Sequence, residues 1–130
     1  MEVSMSKTIR RVLSLALCLC LIATLIVPIY AASYTHQGTY NGVGYSTTST
    51  GTSTYFKGYI GCLSSENLKV TVVYDFHNTD GDNLDWVANS VIQPTETKVE
   101  LSLVNGYYIN TLDYTYRIGG TIVHTYSITL

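Results

Sequence analysis

Charged residues and cysteines are scarce in this sequence. Asp, Glu, Lys and Arg together make up 12% of its 130 residues, and two of its three cysteines, Cys18 and Cys20, lie in an apolar segment near the N-terminus. Cys62 is the only cysteine after residue 31, which excludes an intramolecular disulfide framework from the rest of the chain. We interpret Cys62 as a small buried hydrophobe rather than a reactive or dimer-forming thiol, because it continues the period-two alternation of Phe56 and Ile60.

Basic residues are also few. After residue 31 there are four of them against eight acidic ones, a net charge of −4 (four minus eight). The basic residues, Lys57, Lys69, Lys98 and Arg117, are scattered along the chain. A phosphate-binding surface needs clustered Lys and Arg, so nucleic acid is not an expected partner.

A long apolar run occurs only near the N-terminus. Val12–Val27 contains no charged residue, follows Lys7, Arg10 and Arg11, and is ended by Pro28. This pattern predicts a secretory signal peptide over residues 1–31, formed as an N-terminal helix and cleaved between Ala31 and Tyr34, and hence a secreted protein. The alternative is an uncleaved anchor, since the run approaches the ~20 residues that cross a bilayer; the membrane would then be reached through this segment alone.

The rest of the chain, residues 32–130, lacks an apolar stripe at helical spacing and shows alternation with period two instead. In LKVTVVYDF, for example, Leu68, Val70 and Val72 begin one face, and Lys69 and Thr71 begin the other. Such segments predict an all-β domain. Because one sheet cannot cover its own apolar face, we expect a small antiparallel two-sheet sandwich of about seven or eight strands, with a small β-barrel as the alternative.

The C-terminal third suggests a three-stranded meander from Lys98 to Leu130. Asn105-Gly106 is read as a two-residue hairpin turn, which would pair Val99 with Leu112 and Lys98 with Asp113. A three-residue loop over Gly119–Thr121 would then pair Ile118 with Ile122, Tyr116 with His124, Tyr114 with Tyr126 and Leu112 with Ile128. The face predicted to be buried consists of Val99, Leu101, Leu103, Tyr108, Leu112, Tyr114, Tyr116, Ile118, Ile122, Tyr126, Ile128 and Leu130.

An acidic loop, HNTDGDNLD, gathers oxygen ligands of the kind that Ca²⁺ uses, and Asp80, Asp82 and Asp85 are candidates for a metal site. The spacing does not fit a standard calcium loop. If Gly81 is the sixth position, Phe76 and Val87 stand where the first carboxylate and the bidentate Glu belong. We favour a polar hairpin loop that turns at Asp80-Gly81, and we expect neither a metal nor a cofactor.

Eleven tyrosines follow residue 31, and their predicted faces differ. Tyr55 and Tyr59 flank Lys57, opposite the face of Phe56, while Tyr107 is placed on the polar face of its hairpin. These three tyrosines are the candidate ligand-binding residues, because exposed tyrosines beside hydroxyls and carboxylates stack on sugar rings or anchor a protein partner. The alternative is a sheet that uses tyrosine as an amphipathic covering residue. The nearby stretch STTSTGTST, Ser46 to Thr54, is interpreted as a threonine-rich strand or, alternatively, as a flexible loop.

No catalytic motif or nucleotide-binding loop emerges, and His36, His77 and His124 are too far apart in sequence to form a local ligand pair. We therefore expect a secreted non-enzymatic protein that binds an extracellular glycan, a cell wall or a protein surface. The alternative is a small secreted effector such as a bacteriocin or toxin. A predicted signal segment precedes a compact Tyr- and Thr-rich sandwich, and in this layout the chain resembles the lactococcin 972-type bacteriocins. The resemblance is one of size and fold, and no shared motif carries it.

Overall fold

The computed structural model describes residues 32–130, and the predicted signal peptide, residues 1–31, lies outside the described residues. The described part contains eight strands: β1 (Ala32–Tyr40), β2 (Val43–Gly51), β3 (Tyr55–Cys62), β4 (Leu68–Asn78), β5 (Asn83–Asn89), β6 (Thr95–Ser102), β7 (Tyr107–Ile118) and β8 (Thr121–Thr129). They form two separate four-stranded antiparallel sheets, which confirms the all-β sandwich rather than the barrel. No helix capable of crossing a membrane occurs among residues 32–130.

The first sheet has the strand order β1-β2-β3-β6, and the second has the order β5-β4-β7-β8. The alternation predicted for β4 is confirmed, since Leu68, Val70 and Val72 are fully buried while Lys69 and Thr71 are not. Each sheet contributes one buried face to a shared core, and the buried face of the first sheet includes the polar residues Thr47, Ser49 and Thr97. The stretch Ser46–Gly51 belongs to a strand, as favoured, and Thr52–Thr54 forms the turn into β3.

Cys62 is a buried free thiol at the end of β3, as predicted. Tyr114 and Tyr116 of β7 cross the core to reach the first sheet. The Tyr116 hydroxyl donates to the Thr48 carbonyl oxygen at 3.0 Å and lies 2.6 Å from Ser49 Oγ, and the Tyr114 hydroxyl donates to the Thr50 carbonyl oxygen at 2.5 Å. These bonds connect the two sheets through their interior.

The predicted β6–β7 hairpin is wrong. β6 pairs with β3 in the first sheet, so Val99 lies opposite Gly58, and Lys98 lies opposite Tyr59 instead of Asp113. At Asn105-Gly106 only Gly106 has a positive φ, of 92°, and the Tyr107 amide donates to the Val104 carbonyl at 3.3 Å. This is a type II arrangement, which does not match the twist of a two-residue hairpin and here carries the chain from one sheet to the other.

The hairpin turn of the expected kind occurs at the other Asn-Gly pair. Asn41 and Gly42 have φ values of 49° and 78°, and Tyr40 lies directly opposite Val43. Both central residues therefore adopt the left-handed conformation that a type I′ turn requires.

The β7–β8 hairpin is confirmed for three of its predicted pairs: Tyr116 with His124, Tyr114 with Tyr126, and Leu112 with Ile128. The turn itself differs from the predicted three-residue loop. Gly119 and Gly120 form a two-residue turn with φ values of 57° and 83°, which places Ile118 opposite Thr121. The register then shifts after Arg117, where Val123 is the extra residue of a bulge.

Another bulge inverts the faces predicted near the start of β7. Asp75 pairs with Thr111 and Phe76 pairs with Ile109, so Asn110 is an additional residue on β7. Tyr107 consequently packs against the core, and Tyr108 is 40% exposed, the reverse of the prediction. Of the face predicted to be buried, three members are exposed: Tyr108, Ile122 and Leu130.

Candidate binding face on the first sheet

The outer face of the first sheet is polar and carries two of the three tyrosines singled out from the sequence. Tyr55 and Tyr59 lie on the side of β3 opposite the fully buried Phe56 and Ile60, as predicted. The face consists of Ser33, Thr35 and Gln37 from β1, Ser46, Thr48 and Thr50 from β2, Tyr55, Lys57 and Tyr59 from β3, and Glu96, Lys98 and Glu100 from β6.

Register arranges these side chains in rows across the four strands. One row runs from Thr35 through Thr48 and Tyr59 to Lys98. The neighbouring row places Thr50 opposite Lys57, which itself faces Glu100. Hydroxyl groups therefore occupy the β1–β2 half of the face, and charges occupy the β3–β6 half.

Tyr59 is held in a defined position. Its hydroxyl donates to Glu96 Oε2 at 3.2 Å, and its ring lies across Gly61, where an added Cβ would be 2.6 Å from the hydroxyl oxygen. Burial raises the pKa of Tyr59, and the hydrogen bond and negative charge of Glu96 raise it further. The residue at position 61 must be small for the ring to rest there.

A shallow depression of about 540 Å³ lies beside Tyr59. Gly44 and Gly61 both line it, but only the space above Gly44 is open, because the Tyr59 ring already lies across Gly61. The depression is lined by Gln37, Gly38, Gly44, Tyr45, Ser46, Tyr59, Gly61, Cys62, Leu63, Thr95 and Glu96. An amide, a hydroxyl and a carboxylate thus border an aromatic ring, a combination that can accept and donate hydrogen bonds while presenting apolar area.

Tyr55 lies four residues before Tyr59 on the same strand, or roughly 13 Å at 3.3 Å per residue. Burial raises its pKa, with a further contribution from the charge and hydrogen bonding of Glu100. Glu100 is in turn paired with Lys98 at 3.6 Å, and both side chains are exposed. Tyr55 therefore belongs to the charged half of the face and is not part of the depression.

Tyr107 is not on this face. It belongs to the second sheet, where its ring meets Phe76 edge-on with centroids 5.8 Å apart. Tyr108 takes the exposed side next to His77. The alternation along β3 predicted which face Tyr55 and Tyr59 occupy. It did not predict that Gln37, Ser46 and Glu96 lie near Tyr59, because they come there only through the pairing of four strands.

The acidic loop is organised by Asn78. Its side-chain Oδ1 accepts hydrogen bonds from the backbone N–H groups of Asp80 and Asp82, each at 3.0 Å. Its side-chain Nδ2 donates to Asp82 Oδ2 at 3.3 Å. Asp85 lies further along, on β5, opposite Asp75. Within residues 32–130, His, Cys, Asp and Glu form no group of three or more that could hold a metal ion.

No family model matches this chain, and neither a curated protein nor a solved structure shows significant similarity to it. The arrangement of side chains on the molecule is therefore the basis for assigning a function.

Proposed function

We propose that this protein is a secreted, non-enzymatic binder of an extracellular glycan, and that the outer face of the first sheet is its binding surface. The observation that carries the proposal is the position of Tyr59, which rests across Gly61, is hydrogen-bonded to Glu96 and borders a depression lined by Gln37 and Ser46. A ring fixed in this way loses little conformational entropy when a ligand stacks on it.

The chemistry of the depression suits a sugar better than an apolar ligand. Sugar rings present C–H groups to an aromatic ring and hydroxyls to polar neighbours, so they need both kinds of surface together. Tyr59 supplies the aromatic surface, while the second oxygen of Glu96 and the side chains of Gln37 and Ser46 supply hydrogen-bond partners. Leu63, which is largely exposed at the rim, adds apolar area.

A glycan array probed with the exported protein tests the proposal, followed by affinity measurement on the best ligand. We expect Tyr59→Ala to weaken binding by about tenfold or more, the loss of a stacking aromatic contact. Gly61→Ala should also weaken it, because the new methyl group displaces the end of the Tyr59 ring. Tyr108→Ala, which removes an exposed tyrosine from the second sheet, is the matched control.

Binding that survives Tyr59→Ala and Gly61→Ala unchanged would move the site elsewhere. Failure to bind any glycan, together with killing of related cells by the purified protein, would replace the proposal with the effector function.

A further inference from the structure

The edge strand β5 is the least covered strand of the sandwich. It lies at one end of the second sheet, and six of its seven residues are exposed. Leu84 and Trp86 point to the inner side, opposite the buried Phe76 and Tyr74, yet Trp86 remains 61% exposed. The strand also carries neither Lys nor Pro, two residues that commonly protect such an edge from pairing.

At the opposite end of the sandwich, the edge strands of the two sheets, β1 and β8, cover each other. The Tyr34 ring stacks on Tyr126 and the His36 ring stacks on His124, with ring centroids 4.4 Å and 3.9 Å apart. At the β5 end the inner side chains border an open apolar groove of about 370 Å³ instead. The groove is lined by Tyr74, Phe76, Leu84, Trp86, Leu101, Ser102, Leu103, Val104 and Tyr107.

The backbone of β5 has hydrogen-bonding groups that point away from its neighbour. At the two ends of the β4–β5 ladder, the Ser90 amide donates to the Val70 carbonyl and the Asn78 amide donates to the Asp82 carbonyl. Hydrogen-bonded pairs alternate along an antiparallel ladder, so even-numbered residues of β5 face β4. The N–H and C=O groups of Asn83, Asp85, Val87 and Asn89 consequently face outward.

We propose that β5 pairs antiparallel with β5 of a second copy of this chain, with the two-fold axis at Val87. This register joins outward-facing residues of both copies, as an antiparallel ladder requires. It places Asp85 opposite Asn89 of the partner subunit, and Trp86 opposite Ala88 of the partner subunit. Asn89 Oδ1 already accepts from Thr71 at 2.8 Å, which leaves its amide free to donate to the facing carboxylate.

Registers with the two-fold axis nearer the start of β5 are less favourable. A shift in one direction sets the two Trp86 rings directly against each other and Asp85 against Val87, and a further shift sets the two Asp85 carboxylates opposite one another. In the proposed register each large side chain meets a small one on the inner side. The polar pairs then lie on the outer side, next to the apolar Val87 pair.

Trp86 is the only tryptophan of the chain, so its fluorescence reports this interface directly. We expect sedimentation of the full exported protein to show dimers that form with increasing concentration, accompanied by a blue shift of the Trp86 emission. Val87→Lys should keep the protein monomeric, since it puts two like charges at the two-fold axis. Ile122→Lys, an equally exposed change at the far edge of the second sheet, is the control and should dimerise normally.

The register has its own test. Asn89→Asp should weaken dimerisation by about tenfold, because two carboxylates would then face each other in two symmetric pairs. Combining it with Asp85→Asn restores one carboxylate and one amide in each pair and should restore the affinity. A protein that stays monomeric with unchanged Trp86 emission at every concentration, or a dimer that tolerates both Val87→Lys and Asn89→Asp, overturns the proposal. Glycan binding by the monomer would be unaffected by that result, so the two proposals fail separately.

Discussion

His36 on β1 and His124 on β8 stack with ring centroids 3.9 Å apart and an interplanar angle of 7°, one ring from each sheet. Tyrosines surround the pair: Tyr45 hydrogen-bonds His36, while Tyr34 and Tyr116 stack on His124. The His124 Nε2 atom is buried without a hydrogen-bond partner, so adding a proton there would create an unsatisfied donor next to a second imidazole.

This pair should make the fold sensitive to acid. Burial lowers the pKa of His124 from its usual 6.5, and the charge of a protonated His36 lowers it further. A histidine whose folded pKa lies below the unfolded value contributes stability above pH 6.5 that is lost as the pH falls through the folded pKa. We expect the melting temperature to decrease between about pH 7.5 and about pH 5.

Thermal unfolding of His124→Phe provides the comparison, since phenylalanine keeps the stacking and removes the proton site. Its melting temperature should depend less on pH in this range than that of the parent. His77→Asn, which changes a histidine outside the pair, should retain the full dependence. An identical pH profile for His124→Phe and the parent would show that other groups cause the effect.

The buried tyrosines should make the fold sensitive to alkali as well. Burial raises the pKa of Tyr116 from 10.0 to about 12, against the opposing effect of the bond from Ser49. The associated stability is present below pH 10.0 and is lost as the pH rises toward the folded value. Urea unfolding at about pH 8 and about pH 11 should show the decrease. Tyr116→Phe should reduce it while costing about 1–3 kcal/mol at neutral pH, because Ser49 loses its buried partner.

Close approach of the sheets at Gly58 can be tested with a single methyl group. A Cβ at this position would lie 2.8 Å from Val70 Cγ1 and 3.1 Å from Tyr114 Cδ1, both in the packed core. We expect Gly58→Ala to lower the free energy of unfolding by about 1–3 kcal/mol. Gly44→Ala is the control, since its nearest neighbour would be the Gly38 carbonyl oxygen at 3.9 Å. Equal effects of the two substitutions in denaturant unfolding would contradict the close packing.

Cys62→Ser should leave the protein folded at a cost of about 1–3 kcal/mol, because the thiol is buried and replacing it with a hydroxyl puts a more polar group in the core. Circular dichroism and chemical denaturation measure this. Reductant should not change the parent's melting temperature, since a buried thiol is not available for an intermolecular disulfide. A shift on reduction that disappears in Cys62→Ser would point to such a disulfide.

Alternation revealed the strands and the faces of β3 and β4, because side-chain parity is a local property of an extended chain. Which strands pair with each other does not follow from the local sequence. Asn41-Gly42 and Asn105-Gly106 have the same two residues, yet the first closes a hairpin and the second connects the two sheets. The bulges at Asn110 and Val123 reverse which face of the sheet the neighbouring side chains of β7 and β8 point to. Nothing in the amino-acid composition of these strands predicts the two bulges. This is why the Tyr107 and Tyr108 faces were exchanged.

The same distinction applies to the candidate site. Tyr55 and Tyr59 followed from the local pattern of β3. Glu96 came next to Tyr59 only because β6 pairs with β3, whereas the predicted meander had placed β6 against β7. A site assembled from neighbouring strands could be predicted only as far as the strand order was known.

The strand order also determines when the chain can fold. Phe56 pairs with Leu101 and Val72 pairs with Tyr114, in each case across more than forty residues. Such contacts close large loops, which makes folding slow, and β1 to β3 alone have no second sheet to cover their apolar side. The core is therefore complete only once β7 is present. If residues 1–31 direct export as their sequence predicts, the emerging chain still lacks a complete core when that segment is available for recognition.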